Sequence, residues 1–177
     1  MYLLDSPHVV LLLRSSSFIR LPVITLAADV ASPEGGDRGE IVVVDVAQGR
    51  PVEKARVSYR GALRESRRVG QVLYVVSEAW TGQGGELVVT SFDLRVPSQP
   101  VQRATLTLPG WNAVIHATDR FLFVASRTAD WTRSNVEVID ISSPTGALTR
   151  RGRIAAAGQV EDKFKMHLDG DVFTVVS

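Results

Sequence analysis

Apolar residues in this chain gather in short dense blocks instead of recurring at helical spacing. "VLYVVS" (72–77), "FLFVAS" (121–126) and "VFTVVS" (172–177) are rich in β-branched and aromatic residues and are bounded by Gly and Asp, which predicts strands of about six to eight residues between turns. In the first two, odd and even positions are apolar alike, so both faces of those strands need covering by protein. A second set, "IVVVDV" (41–46), "VVTSFDL" (88–94) and "VEVIDI" (136–141), reads the same way. A third set alternates: Ala55, Val57 and Tyr59, or Ala104, Leu106 and Leu108, share one face, while Lys54 and Arg56, or Arg103 and Thr105, take the other. That strand is half solvated, and its basic residues discourage edge pairing.

These blocks repeat in step. Ser77, Ser126 and Ser177 lie 49 and 51 residues apart; Asp45, Asp93 and Asp140 lie 48 and 47 apart; Gly61, Gly110 and Gly158 lie 49 and 48 apart. Three markers keeping one period define a repeat of four strands. In the second unit the strands are expected near 63–69, 72–79, 86–93 and 100–108, and in the third near 112–118, 121–127, 135–141 and 147–155. The fold class is therefore all-β, built of β-propeller-type four-stranded antiparallel blades, because face-to-face stacking of blades hides both faces of the inner strands. The blades fall at approximately 1–60, 61–109 and 110–157, with a half blade at 158–177. That makes about three and a half, an incomplete propeller in a single unit. A two-sheet sandwich is the alternative. The first unit is looser: "VVLLLR" (9–14) matches the second strand, and the surplus falls in the 15–39 connection, read as an extra hairpin or a loop over one face. The open faces at the two ends of the arc are expected to be covered by missing blades of a longer chain or by self-association.

Composition narrows the function classes. With 45% hydrophobic residues the chain can bury a core, and 20 basic against 19 acidic residues, a net +1, argue against a nucleic-acid partner. The absence of cysteine removes disulfides and thiolate chemistry. "VVLLL" (9–13) is far short of the roughly 20 residues of a membrane span, and it lacks the basic flank of a signal peptide.

"ESRRVGQVLYVVS" (65–77), "VEVIDISSP" (136–144) and "GQVEDKFKMHLDGDVFTVVS" (158–177) carry a resemblance. The stretch 40–177 resembles the bacterial secreted proteins with a C-terminal β-propeller domain distantly related to WD-repeats, and "VIDISSP" is similar to the LVIVD-repeat propellers of bacterial surfaces. The resemblance implies an extracytoplasmic propeller and no particular activity.

Candidate sites are few. Arg67, His116 and His167 occupy equivalent first-strand positions. They are read either as a central polar site or as groups that each bond a neighbouring blade's carbonyl or carboxylate. Arg67 and Arg68 are expected to make inter-blade contacts. Trp80 and Trp131 follow the second strand in successive units, where they stack on a sugar or peptide or pack over an adjacent loop. Trp111 sits on a different connection and is read as a blade cap. Asp45, Asp93 and Asp140 are expected to accept backbone N–H groups in their turns, with metal binding the lesser alternative. "SSS" (15–17) lacks a nucleophile elbow, and "GQGG" (82–85) and "EGGDRG" (34–39) lack the setting of a phosphate loop. No catalytic residue, metal site or cofactor is assigned. The function expected is a non-catalytic extracytoplasmic scaffold or binding module for a protein or glycan. The alternative is part of a propeller hydrolase, lyase or peptidase gate domain with its site at the axis.

Overall fold

The computed structural model describes residues 1–4, 7–14, 38–80 and 85–177; the connection at 15–37 and most of "GQGG" lie outside them. Every sheet is built from one continuous stretch of chain, with neighbouring strands antiparallel and in sequence order. The first holds β1 (Tyr2–Leu3), β2 (His8–Arg14), β3 (Arg38–Asp45) and β4 (Val52–Arg60). The second holds β5 (Ala62–Val69), β6 (Val72–Trp80), β7 (Gly85–Asp93) and β8 (Val101–Pro109). The third holds β9 (Trp111–Ala117), β10 (Phe121–Arg127), β11 (Ser134–Asp140) and β12 (Thr149–Ala155). A 3-10 turn, Lys163–Lys165, leads into a hairpin of β13 (Met166–Asp169) and β14 (Val172–Val175). In the second and third units the strands begin and end within two residues of the positions expected from sequence. The described residues form three four-stranded sheets and a hairpin, and these do not close into a ring.

Both faces of the inner strands are covered, as their unbroken apolar runs require. Leu73, Val75 and Phe92 pack with Val10, Ile41, Val43 and Tyr59 of the first sheet. The opposite parity, Val72, Tyr74 and Val76, packs with Ile115, Leu122 and Val124 of the third. In turn Phe123 and Ala125 face the hairpin, where Phe123 stacks on Phe173 at 4.0 Å. Each hydrophobic cluster thus belongs to one pair of consecutive units. The fourth strands alternate as expected in β4 and β8, but β12 is exposed along its whole length. Tyr59 and Leu108 each find apolar cover in the following sheet, whereas β12 is followed by only two described strands.

The repeat markers prove to be contacts. Asp45, Asp93 and Asp140 each accept the backbone N–H two residues on, from Ala47, Arg95 and Ser142 at 2.9, 3.0 and 2.9 Å. Each also takes a cation from the adjacent fourth strand: Lys54 at 3.3 Å, and Arg103 and Arg151 at 2.7 Å. These turns therefore have the hydrogen bonding expected of a structural aspartate. A bulge recurs just before each aspartate, between Val43 and Val44, Ser91 and Phe92, and Val138 and Ile139, adding twist at the same point of every unit. The closing glycines meet the serines: Gly61 lies against Ser77, Gly110 against Ser126 and Gly158 against Ser177.

An acid-sensitivity prediction follows from the aspartates. Hydrogen bonds from Arg95, followed by its backbone N–H and Arg103, hold the Asp93 carboxyl well below its ordinary 3.8. The Ser142 hydroxyl and N–H, then Arg151, do the same for Asp140. A depressed folded-state value stabilises the fold above the unfolded value and is lost as pH falls through the folded one. The contribution of these two carboxylates to the unfolding free energy is therefore expected to stay level from neutral pH to about 4 and to decline below it. The D93N variant should lose about 1–2 kcal/mol at pH 7, limited because its guanidinium partners are half in water. Its acid decline should also be shallower than that of the parent. Urea titrations from pH 2.5 to 7 check both, and parallel curves for parent and D93N would contradict the assignment.

Candidate functional site

Two clefts gather the chemistry-bearing residues. The first opens where β6 ends, β9 begins and β10 ends. Antiparallel pairing sets Trp111 opposite Arg127, so the start of β9 lies at the same edge as the end of β10. The cleft, about 360 Å³, is lined by Trp80, Gly85, Trp111, Arg127, Asn135 and Arg153 among others. The Trp111 ring packs over Gly85, where a side chain would meet it at 3.4 Å. Trp131 leans on Trp111, with ring centroids 4.8 Å apart and planes at 43°, and the Arg127 guanidinium lies 5.9 Å from the Trp131 ring. Trp80 is 69% exposed and Trp131 50% exposed.

Trp111, expected to cap a blade, packs over Gly85 of the preceding unit and also against Trp131. It does lie on a different connection from Trp80 and Trp131, but hairpin register returns it to their edge. Its position beside Trp131 was legible only by tracing which strand ends coincide.

The backbone around these rings is held in uncommon conformations. Trp131 has φ 61°, in the left-handed region that bulky residues rarely adopt, and Asn112, of a type that enters it more readily, has φ 53°. A local network maintains the first: the Asp130 carboxylate accepts from Thr132 N–H at 3.2 Å and Thr132 Oγ1 at 2.8 Å, and also from Thr128 Oγ1. Those hydroxyl contacts, with the Thr132 N–H, push the Asp130 carboxyl down to about 2. Trp131 N–H donates to Thr128 O at 3.0 Å, and Gln159 Nε2 donates to Trp131 O. The Glu78 carboxylate accepts the Asn112 N–H and the Arg64 guanidinium. Strain of this kind persists only where the surroundings over-determine it, and it clusters at functional sites.

The second cleft, about 430 Å³, brings together Arg67, His116 and His167, the three residues singled out by equivalent position. Lys163 and Phe164 of the 3-10 turn and Met166 complete its walls. Sequence reasoning missed Lys163, because the turn between the third sheet and the hairpin has no counterpart in the earlier units. Arg67 Nη2 donates to Ile115 O at 3.2 Å, and Arg67 pairs with Glu65 at 3.2 Å, while Glu65 Oε2 accepts the Ile115 N–H at 2.6 Å. Arg68 Nη1 donates to Leu3 O at 2.7 Å. Both arginines therefore make the inter-sheet carbonyl contacts expected of them. Burial, and then the charges of His167, Arg67 and Lys163, hold the His116 imidazole below its ordinary value.

Elsewhere several ionic groups are engaged in pairs, among them Arg60 with Glu86 and Arg64 with Glu78. Glu137 is 2% exposed and receives Arg150 Nε at 2.7 Å and Arg153 Nε at 2.5 Å. A third hollow, about 580 Å³, runs between solvated strand faces and is lined largely by Ser58, Thr90, Gln102 and Thr105 with Arg38 and Arg60. Among the described residues no group of three or more His, Asp or Glu side chains is placed to hold a metal ion, and no helix is long and apolar enough to cross a membrane. Comparison of the sequence with protein-family models and with curated proteins finds no match to either.

Proposed function

We propose that the chain is an arc of a β-propeller that works outside the cytoplasm as a non-catalytic binding module. Its partner, a glycan or a protein segment, would be held in the cleft lined by Trp80 and Trp111, with Trp131 packed against Trp111 beside it. The observation that carries this is the exposed Trp80 indole facing Trp111 across a cleft whose rim supplies Arg127, Asn135 and Arg153, with the half-exposed Trp131 packed against Trp111. Exposed indoles cost solvation and offer flat apolar walls, while the rim offers donors, the combination that suits a pyranose ring or an aromatic-rich peptide. The cross-braced backbone at Trp131, held in a left-handed conformation uncommon for a bulky residue, supports the reading, because it orients this ring before any partner arrives.

Stacking of consecutive sheets through separate clusters, with each sheet contacting its chain neighbours, supports the propeller architecture. A non-catalytic role is supported by Asp45, Asp93, Asp140 and Glu137, each committed to a turn or to guanidinium partners. The extracytoplasmic setting rests on the resemblance drawn from 65–77, 136–144 and 158–177.

The test is tryptophan fluorescence titrated with neutral and acidic oligosaccharides and with a peptide library. A ligand that shifts the emission should bind at least roughly tenfold more weakly to W80A, the loss expected for an aromatic anchor. The thermal midpoint of W80A should be unchanged because the ring is exposed. Absence of any ligand at millimolar concentration, or binding by W80A and W111A equal to that of the parent, would overturn the reading.

A further inference from the structure

The cleft of Arg67, His116, Lys163 and His167 is distinct from the tryptophan cleft, and its chemistry is different. Successive units supply three of its four basic groups from the first strands β5, β9 and β13. They stand at the same register, paired with Tyr74, Phe123 and Thr174 respectively. The fourth, Lys163, comes from the 3-10 turn and lies 5.1 Å from the centre of the Phe164 ring. Among the described residues Glu65 is the one carboxylate paired within this group, and it is already shared between Arg67 and the Ile115 N–H. The neighbouring acids are turned elsewhere. Asp162 caps the 3-10 turn by accepting Phe164 N–H at 2.8 Å, and Glu161 pairs with Lys165 at 3.3 Å. Among the described residues no hydrogen bond or ion pair engages His116, His167 or Lys163 with an acidic group.

Of these basic groups only Arg67 has, among the described residues, a carboxylate partner, Glu65, so the gathered positive charge is left partly uncompensated and is stabilised when an anion enters. We propose that this cleft binds a compact oxyanion, the phosphate or carboxylate group of a small molecule, with Arg67 and Lys163 supplying fixed charge and His116 and His167 supplying ring N–H donors. Charge-assisted donors of this kind are among the stronger hydrogen bonds. A binding anion offsets the charges of His167, Arg67 and Lys163 that disfavour protonation of His116. Binding is therefore coupled to proton uptake and strengthens as pH falls. The groups facing His116 across the cleft are Arg67 on β5, Lys163 on the turn and His167 on β13, with Glu65 behind Arg67.

Isothermal calorimetry with sodium sulfate, whose charge is constant across the range, tests this at pH 6 and pH 8 in two buffers of different ionisation enthalpy. The expected results are binding roughly tenfold tighter at pH 6, a change of one pKa unit's worth, and an apparent enthalpy that depends on the buffer. K163Q, on an exposed turn, should weaken binding about tenfold, and H116Q should reduce the buffer dependence while folding as the parent does by circular dichroism. Titration with inorganic phosphate and with glucuronate then separates the two sources of the oxyanion by which binds more tightly. No binding of sulfate, phosphate or glucuronate at millimolar concentration, or equal sulfate affinity for parent and K163Q, overturns the proposal. Either result is independent of the tryptophan titrations.

Discussion

F92A is expected to lose about 3–5 kcal/mol of folding stability, the cost of removing a buried phenylalanine from a packed interior. Phe92 is fully buried in β7 and meets Tyr59 edge-on, with ring centroids 6.5 Å apart at 64°. It lies in the cluster that joins the second sheet to the first, among Ile41, Val43, Leu73, Val75 and Leu94. Two hydrogen-bonded sheets form the walls, so they cannot collapse into the vacancy without breaking ladder pairing, and the cavity term stays large. Domains of this size have about 5–15 kcal/mol to lose. The location of the damage is as informative as its size. Because each cluster belongs to one pair of units, the first sheet should exchange its amide hydrogens first in F92A, with the third sheet and hairpin little affected. Urea denaturation and hydrogen-exchange mass spectrometry provide the measurement. A loss under about 1 kcal/mol, or uniform loosening of all three sheets, would refute unit-by-unit packing.

G61A and G110A are the second large effects, each expected to cost about 2–4 kcal/mol. Gly61 has φ +89°, and a Cβ there would lie 2.5 Å from the Glu78 carbonyl oxygen. Gly110 has φ +120°, and its Cβ would lie 2.6 Å from Ser126 Oγ and 2.9 Å from Ser126 Cβ. Gly49 is the control: its φ is +71°, but nothing lies within 4 Å of its missing side chain. G49A should therefore show only the conformational cost, about 1 kcal/mol. A double substitution separates the two clashes. S126G should recover part of the G110A loss, because the obstacle at Gly110 is a side chain. S77G should recover little of the G61A loss, because the nearest obstacle there is backbone. Thermal unfolding of these variants tests the order, and G49A as damaging as G61A would show that close approach contributes nothing.

These contacts explain why so much of the architecture was legible. Strand limits in the second and third units lay within two residues of expectation because β-branched runs and turn residues act locally. The both-faces-apolar pattern of 72–76 and 121–125 required cover on two sides, and alternate residues of β6 and β10 do turn to different neighbours. The serine, aspartate and glycine markers kept their spacing because each performs the same task in each unit where it is described. Serine meets glycine across a close backbone approach, and aspartate closes a turn while holding a fourth-strand cation.

The candidate sites were legible only in part. Equivalence of position identified Arg67, His116 and His167, and they do line one cleft. Lys163 escaped because it lies in a turn without a repeat counterpart. Trp80 and Trp131 stood out as loop residues, whereas Trp111 was set apart from them, since nothing in its local sequence shows that β9 starts where β10 ends.

Sequence alone determined the all-β class, the four-strand period, the strand limits of the central units and the turn chemistry of Asp45, Asp93 and Asp140, because those depend on alternation, side-chain shape and hydrogen bonds between near neighbours in the chain. Tertiary structure decided which side chains from different units meet: Trp111 with Trp131, Phe92 with Tyr59, Lys163 with the two histidines. Those meetings are set by pairing register and by the stacking of one sheet on the next, relations between residues far apart in sequence that no local pattern encodes.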